Sequence, residues 1–153
     1  MSAATLPRPE ECNCFAVRSA ARHVTQFYDQ FLVPSGLRAT QFAILARVKR
    51  LGPLTINVLA SDMVMDRTTL GRNILPLERD GLIAVGPGKS DRRSKELWLT
   101  GEGIARFRAA LKAWQRAQHR FEAAFGNERA EELRALLQQV VTSEAQVDGR
   151  LHA

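Results

Sequence analysis

The chain has 153 residues, of which 45% are hydrophobic and 25% charged, and this balance excludes a disordered polypeptide and favours one globular domain. Its 22 Lys and Arg residues exceed its 16 Asp and Glu residues, which gives a net charge of +6 and favours a polyanionic partner such as nucleic acid. The N-terminus lacks the apolar core of a signal peptide and no apolar run is long enough to span a membrane, so we expect a cytoplasmic protein without a membrane partner.

Apolar residues recur at every third or fourth position through the first half of the chain, which is the period of an amphipathic helix. This period predicts helices over residues 14–32, 39–51, 56–64 and 67–80. Thr55 and Asp66 precede the last two segments and are residue types that cap helix N-termini, whereas Gly81 is suited to end the fourth helix.

The apolar period changes after Gly81. Residues 82–85, LIAV, and residues 96–99, ELWL, are predicted strands, and the GPGKSDRRS segment between them has the composition of a turn. Two helices close the chain, the first with apolar residues from Ile104 to Phe125 and the second capped by Asn127. The predicted fold is therefore mainly α with a small β-hairpin wing, arranged as a winged helix-turn-helix.

The helix after Asp66 has two different faces. At 100° per residue, its buried stripe is predicted to consist of Leu70, Ile74 and Leu77. The opposite face and its flanks carry hydroxyl, amide and guanidinium side chains, namely Arg67, Thr68, Thr69, Arg72 and Asn73. Short hydroxyl residues followed one turn later by Arg suit the DNA major groove, where Arg can form two hydrogen bonds with guanine.

The wing carries the clearest family signature. Residues Asp91 to Thr100, DRRSKELWLT, match the D-x-R-(S/A)-x-x-(L/V)-x-L-T pattern at the wing of the MarR family of bacterial transcription regulators. Residues 59–83 resemble the helix-turn-helix of that family, although Val64 stands where the family commonly has Gly. The resemblance covers nearly the whole chain and implies a single domain over residues 1–153. It assigns residues 12–35 and 101–150 to dimerisation helices and residues 38–100 to the DNA-binding region.

The resemblance also implies which residues contact DNA. Arg93 corresponds to the wing-tip residue that enters the minor groove, and Asp91 to a carboxylate that helps to hold its guanidinium. The remaining cations of the wing are expected to contact phosphates. The full set assigned to DNA binding is Thr55, Arg67, Thr68, Thr69, Arg72, Asn73, Lys89, Asp91, Arg92, Arg93 and Lys95.

The resemblance to this family implies a homodimeric repressor that binds a pseudo-palindromic operator and is released by a small aromatic or phenolic effector. By analogy, the effector would contact His23, Phe27, Phe31, Phe42 and Arg47. One alternative is a winged-helix module that binds a partner protein without specific DNA binding.

A second alternative is a thiol-based redox sensor that uses Cys14. A peroxide-sensing branch of the family has its reactive Cys at this position, but the residues that would support the thiolate appear here as Ala39 and Phe42, so a small buried Cys near the dimer interface is favoured. No ligand spacing indicates a metal or another cofactor, and no nucleophile, phosphate loop or carboxylate pair indicates an enzyme.

Overall fold

The helices and the hairpin follow each other in the predicted order. The computed structural model describes residues 8–143. The helices are α1 (Asn13–Leu32), α2 (Ala39–Leu51), α3 (Ile56–Asp62), α4 (Arg67–Arg79), α5 (Gly101–Phe125) and α6 (Asn127–Thr142), and the strands are β1 (Leu54–Thr55), β2 (Ile83–Pro87) and β3 (Lys95–Leu99). Short 3-10 turns precede and follow α1, at Pro9–Glu11 and Val33–Ser35. Residues 144–150 of the predicted dimerisation helices lie outside the described part of the chain.

The wing is a three-stranded sheet rather than the two-stranded hairpin that the sequence predicts. β3 lies between β1 and β2, and both pairings are antiparallel. Leu97 stands opposite Leu54 on one side and opposite Val85 on the other. β1 has only two residues, which is too short for an alternating pattern to be recognised in the sequence.

The core forms between α2, α3, α4 and the inner face of the sheet. The predicted stripe of α4 is confirmed, because Leu70 and Leu77 are fully buried and Ile74 is nearly so. These side chains belong to one apolar cluster with residues such as Leu45 and Leu59. α4 therefore presents its opposite face to solvent.

The ends of two helices differ from the prediction. α3 ends at Asp62 rather than at residue 64, because Val64 has a φ of 52° and so leaves the helical conformation. A β-branched residue in this left-handed region is strained, which explains why Gly is common in such a turn. The N-cap of α6 is Gly126, and Asn127 is the first residue of the helix, so the predicted cap at Asn127 was wrong.

The start of α5 packs closely against the base of the wing and is hydrogen-bonded to it. The Thr100 hydroxyl donates a hydrogen bond to the Gly81 carbonyl at 2.5 Å and accepts one from the Gly103 amide at 3.0 Å, so it also caps α5. A Cβ placed on Gly103 would lie 2.0 Å from the Leu82 carbonyl oxygen. Gly103 therefore permits a backbone approach that no other residue allows.

The N-terminal helix is tied to α2 by one carboxylate. Oδ1 of Asp29 on α1 accepts a hydrogen bond of 2.7 Å from the Ala39 amide, the first residue of α2. Oδ2 of the same side chain lies 3.5 Å from the Arg38 guanidinium. Asp29 therefore satisfies one of the free backbone N–H groups at the N-terminus of α2 from another helix.

The terminal helices expose apolar side chains. On α6 only Ala130 is buried, whereas Leu136, Leu137, Val140 and Val141 are between 41% and 61% exposed. Phe15 and Val17 near the start of α1 are likewise exposed. Exposed apolar residues grouped on terminal helices indicate a face that is covered by another surface.

Candidate functional site

The N-terminus of α4 is built around Asp66. Its Oδ1 accepts a hydrogen bond from the Thr69 amide at 2.8 Å, and its Oδ2 accepts one from the Thr69 hydroxyl at 2.5 Å. The Thr69 hydroxyl and then the Thr69 amide lower the pKa of the Asp66 carboxyl, so the group is ionised at neutral pH. A carboxylate at this position complements the helix dipole, as the sequence predicts.

The solvent face of α4 is polar and cationic. Arg67, Thr68 and Arg72 are exposed, and within residues 8–143 neither Arg67 nor Arg72 takes part in an ion pair. The Asn73 amide nitrogen instead donates a hydrogen bond of 2.8 Å to the Thr69 carbonyl on the preceding turn. The first two turns of α4 therefore present two guanidinium groups and a hydroxyl to solvent.

The wing tip is a tight turn shaped by Asp91. The Gly88 amide donates to the Ser94 carbonyl at 2.9 Å, and the Ser94 hydroxyl donates to the Asp91 carbonyl at 2.8 Å. Gly88 is buried, and a Cβ there would lie 2.6 Å from the Ser94 hydroxyl oxygen. The turn therefore requires Gly88, whose role was not identified from the sequence.

Asp91 contacts Arg93 through the backbone, and the predicted contact with the Arg93 guanidinium stays a prediction. Its Oδ1 accepts a hydrogen bond of 2.9 Å from the backbone amide of Arg93, and among the ion pairs of the described residues there is none between Asp91 and the Arg93 guanidinium. The carboxylate thus fixes the backbone of the tip and leaves the Arg93 side chain exposed. Lys89, Arg92 and Lys95 are exposed around it.

The wing tip and α4 share one concave surface. A cavity of about 260 Å³ lies there. Its lining consists of Glu78 of α4 together with residues of β2 and the wing, namely Val85, Gly86, Pro87, Arg92, Arg93, Ser94 and Lys95.

Thr55 caps α3, at a different place in the DNA-binding region. Its hydroxyl oxygen accepts a hydrogen bond of 3.3 Å from the Val58 amide.

The five residues predicted to contact an effector do not share one cavity. Phe42 and Arg47 line a cavity of about 260 Å³ together with Tyr28 and Trp114, between α1, α2 and α5. His23 and Phe27 line another cavity, of about 230 Å³, with Phe121 and Phe125. Phe31 lines neither of these two cavities and packs against Phe27, with ring centroids 5.4 Å apart. Within the single chain they are divided because His23, Phe27 and Phe31 lie on α1, whereas Phe42 and Arg47 lie on α2. Their joint contact with an effector stays a prediction.

The Phe42 cavity has aromatic walls and one charged group. The Phe42 ring is stacked on Phe107 and Trp114 at centroid distances of 5.3 and 6.0 Å. Arg47 is the charged residue of this lining, and its Nε lies 3.3 Å from Oδ2 of Asp62, the last residue of α3. A contact therefore connects this cavity to the helix-turn-helix.

A network of polar side chains links α1, α5 and α6. The Tyr28 hydroxyl donates to Oε1 of Gln118 at 2.5 Å, the Gln118 amide donates to Glu122 at 2.7 Å, and Arg134 pairs with the same carboxylate at 3.0 Å. Burial, followed by the charge of Glu122, raises the pKa of Tyr28. Tyr28 also lines a groove of about 500 Å³ between these helices. This network cannot be recognised from the sequence, because its four residues lie on three helices.

Both cysteines are exposed and free. Cys12 is the N-cap of α1, and its Sγ accepts a hydrogen bond of 3.4 Å from the Phe15 amide. Cys14 is exposed in the single chain, next to the exposed Phe15, and its burial near a dimer interface stays a prediction. Within residues 8–143, no three His, Cys, Asp or Glu side chains are grouped so that they could hold a metal ion. None of the helices in that range is long and apolar enough to cross a membrane.

Comparisons with known proteins agree with this geometry. The MarR family model matches residues 37–95. The M. tuberculosis transcriptional regulator MosR, solved in complex with DNA, is 38% identical and superposes with a TM-score of 0.73 over 85% of this chain and 96% of its own. A probable transcriptional regulator from Pseudomonas aeruginosa is 27% identical, with a TM-score of 0.78 over 87% of this chain and 99% of its own. The uncharacterised regulator YwoH of Bacillus subtilis is 28% identical over 91 residues, or 60% of this chain and 66% of that protein.

Proposed function

This chain belongs to the MarR family of transcription regulators, and we propose from that premise that it is a homodimeric repressor, acting in the cytoplasm, that binds a pseudo-palindromic DNA operator. The observation that carries the proposal is the pairing of an exposed, cationic N-terminal half of α4 with a basic wing. Residues 38–100 form the DNA-binding region in this proposal, and residues 12–35 and 101–150 form the dimer.

The N-terminal half of α4 is assigned to the major groove. Thr68 and Arg72 are exposed one turn apart, which allows Arg72 to form two hydrogen bonds with guanine and Thr68 to contact a phosphate or a thymine methyl group. Arg67 is assigned to the flanking backbone. Thr69 and Asn73 are engaged with Asp66 and with the helix backbone, so their main effect is to hold α4 in place.

The wing is assigned to the minor groove. Arg93 projects from a turn whose backbone is fixed by Asp91, and a narrow minor groove attracts a guanidinium through its strong negative potential. Lys89, Arg92 and Lys95 surround it and are assigned to phosphates. Thr55 uses its hydroxyl oxygen as an acceptor within α3, so its hydroxyl proton is free to contact a phosphate.

The homodimer is supported by the terminal helices. An isolated helix of 16 residues is marginal in water, and α6 buries only Ala130 against the rest of its own chain. A second copy would cover the exposed row that includes Leu136 and Val140, and two-fold symmetry would place two α4 helices about one DNA turn apart.

The effector site is assigned to the Phe42 cavity. Its stacked aromatic walls fit a flat aromatic or phenolic ligand, and Arg47 can contact a polar substituent. Because Arg47 also contacts Asp62 at the end of α3, a ligand that engages Arg47 would weaken the contact between the cavity and the helix-turn-helix. This competition supports release from DNA as the response.

The test is a fluorescence-anisotropy titration against duplexes tiled across the DNA upstream of the gene, with a scrambled duplex as control, at two salt concentrations. We expect one tile to bind at least about a thousandfold more tightly than the scrambled duplex, with affinity that falls steeply as salt rises. Weak binding that is equal on all duplexes and insensitive to salt would favour the protein-interaction module instead.

Exposure of the thiols favours a second candidate, a redox-sensing regulator. The Cys14 thiol is exposed in the single chain, so hydrogen peroxide that reaches it can oxidise it to a sulfenic acid and be reduced to water. Peroxide is then expected to abolish operator binding by the unmodified protein and to spare the Cys14→Ser variant. Equal loss of binding in both proteins would rule out Cys14 as the sensor.

A further inference from the structure

The solvent face of α5 carries a row of cations that the proposed function does not use. Arg108, Lys112, Arg116 and Arg120 follow each other at intervals of four residues, and all four are exposed. We call this row the α5 stripe. No Asp or Glu occurs between residues 103 and 121, so the charge along the stripe is of one sign.

Helix geometry brings the stripe onto one side of α5. Four residues advance the helix by about 6 Å along its axis and by about 40° around it, so the four cations extend over about 18 Å. Ala110 and Ala117, which are buried, lie on the opposite side from Arg108 and Lys112. Arg108 and Lys112 therefore face away from the core of their own chain, whereas Arg120 is exposed at the edge of the buried face, close to the direction of Ala113.

The stripe has no electrostatic partner within the described residues. None of its four cations takes part in an ion pair in residues 8–143. The two acidic residues of α5 are engaged elsewhere, since Glu102 pairs with Arg106 and Glu122 with Arg134. Like charges four residues apart destabilise a helix, so three successive repulsive pairs are present without an acid to offset them.

The stripe is also separate from the surface assigned to the operator. α5 starts at the base of the wing, where Gly103 contacts Leu82, and extends about 37 Å towards α6. The stripe begins on the second turn and continues to the part of α5 where Gln118 and Phe121 contact α1. The stripe lies on α5, whereas Arg72 lies on α4.

We propose that the α5 stripe binds the phosphate backbone of a second segment of duplex DNA. Duplex DNA carries one negative charge per about 1.7 Å of its axis, which matches a linear array of cations without interleaved acids. A protein partner would need apolar or aromatic anchors at the centre of its contact, whereas the exposed residues between these cations are Ala109, Gln115 and His119. The inference goes beyond the proposed function, because it needs no reading of base sequence.

The experiment uses the full chain with its groove contacts removed. In an Arg72→Ala, Arg93→Ala background, the stripe variant adds Arg108→Gln, Lys112→Gln, Arg116→Gln and Arg120→Gln. The charge-matched control adds Arg18→Gln, Arg22→Gln, Lys49→Gln and Arg50→Gln, four exposed cations of α1 and α2. Each protein is titrated at several salt concentrations with a fluorescent duplex of mixed sequence, and its oligomeric state is measured by light scattering.

We expect the background protein and the control to bind the mixed duplex with the same salt dependence. The stripe variant should bind more weakly and with a smaller salt dependence, because only the phosphate contacts assigned to α4 and the wing are left. Four phosphate contacts predict that the slope of log K against log salt changes by about 3 to 4 per chain. Equal loss in the stripe variant and the control would overturn the proposal, because net charge alone would then explain the binding. So would a change of oligomeric state confined to the stripe variant, since the stripe would then face a second copy.

The two proposals fail separately. If Arg72→Ala and Arg93→Ala leave binding to the tiled duplexes unchanged, the assignment of the groove contacts is wrong while the stripe is still tested by its own variant. If the groove substitutions abolish specific binding and the background protein shows no residual binding to the mixed duplex at low salt, only the stripe proposal is overturned.

Discussion

Arg93→Ala is expected to weaken operator binding by roughly 10- to 100-fold, which corresponds to about 1–3 kcal/mol, the usual contribution of a specific groove contact. The side chain is exposed, and the hydrogen bond from its backbone amide to Asp91 is unaffected by truncation. The melting temperature and the dimer should therefore stay nearly unchanged. Anisotropy titrations of the operator duplex, accompanied by thermal unfolding, measure both quantities.

The neighbouring Arg92 provides the control for this prediction. Arg92 is equally exposed but is assigned to a phosphate, so Arg92→Ala should weaken binding uniformly across sequences and reduce the salt slope by about 1. Arg93→Ala should instead relax the preference for the base pairs under the wing. Full retention of affinity and specificity in Arg93→Ala would show that the wing does not enter the minor groove.

Gly103→Ala is expected to destabilise the fold by about 3 kcal/mol or more, the upper range for overpacking. The added Cβ would meet the Leu82 carbonyl oxygen at 2.0 Å and the Leu82 carbonyl carbon at 2.9 Å. Both are backbone atoms, so the clash is relieved only if the start of α5 moves away from the wing. Such a movement would also break the hydrogen bonds of Thr100 to this segment. Urea unfolding followed by circular dichroism measures the loss.

Gly101, two residues earlier, provides a matched control. A Cβ on Gly101 meets nothing within 4 Å, so Gly101→Ala should change the free energy of unfolding by less than about 1 kcal/mol. Both substitutions add one methyl group to the first turn of α5. Similar stability of the two variants would mean that α5 and the wing are not held at the close distance described here.

The elements that depend on local sequence could be predicted from it. The apolar stripe of α4, its Asp66 cap and the exposure of Thr68 and Arg72 all depend on residues within three or four positions of each other. The basic tip of the wing is a contiguous segment for the same reason. Local period and residue type therefore identified the helix-turn-helix and the surface proposed to contact DNA.

Features that depend on distant residues could not be predicted. β1 is recognisable only from its pairing with β3, about forty residues away. The Gly103 contact and the division of the aromatic residues between two cavities likewise depend on how whole helices pack. The hydrogen bond from the Arg93 amide to Asp91 likewise depends on how the turn folds, since a carboxylate beside an Arg suggests a charge pair from sequence alone.

Because of the close contact at Gly103, the first turn of α5 and the base of the wing would move together. One end of this helix is held at the wing and the other lies beside α6, about 37 Å away. A tilt of about 5° about the wing would displace the far end by about 3 Å, a distance comparable to a slip of two residues along a helix. Trp114, in the wall of the Phe42 cavity, lies near the middle of α5. A rigid-body tilt of α5 would therefore move the cavity wall at this midpoint together with the end of the helix beside α6.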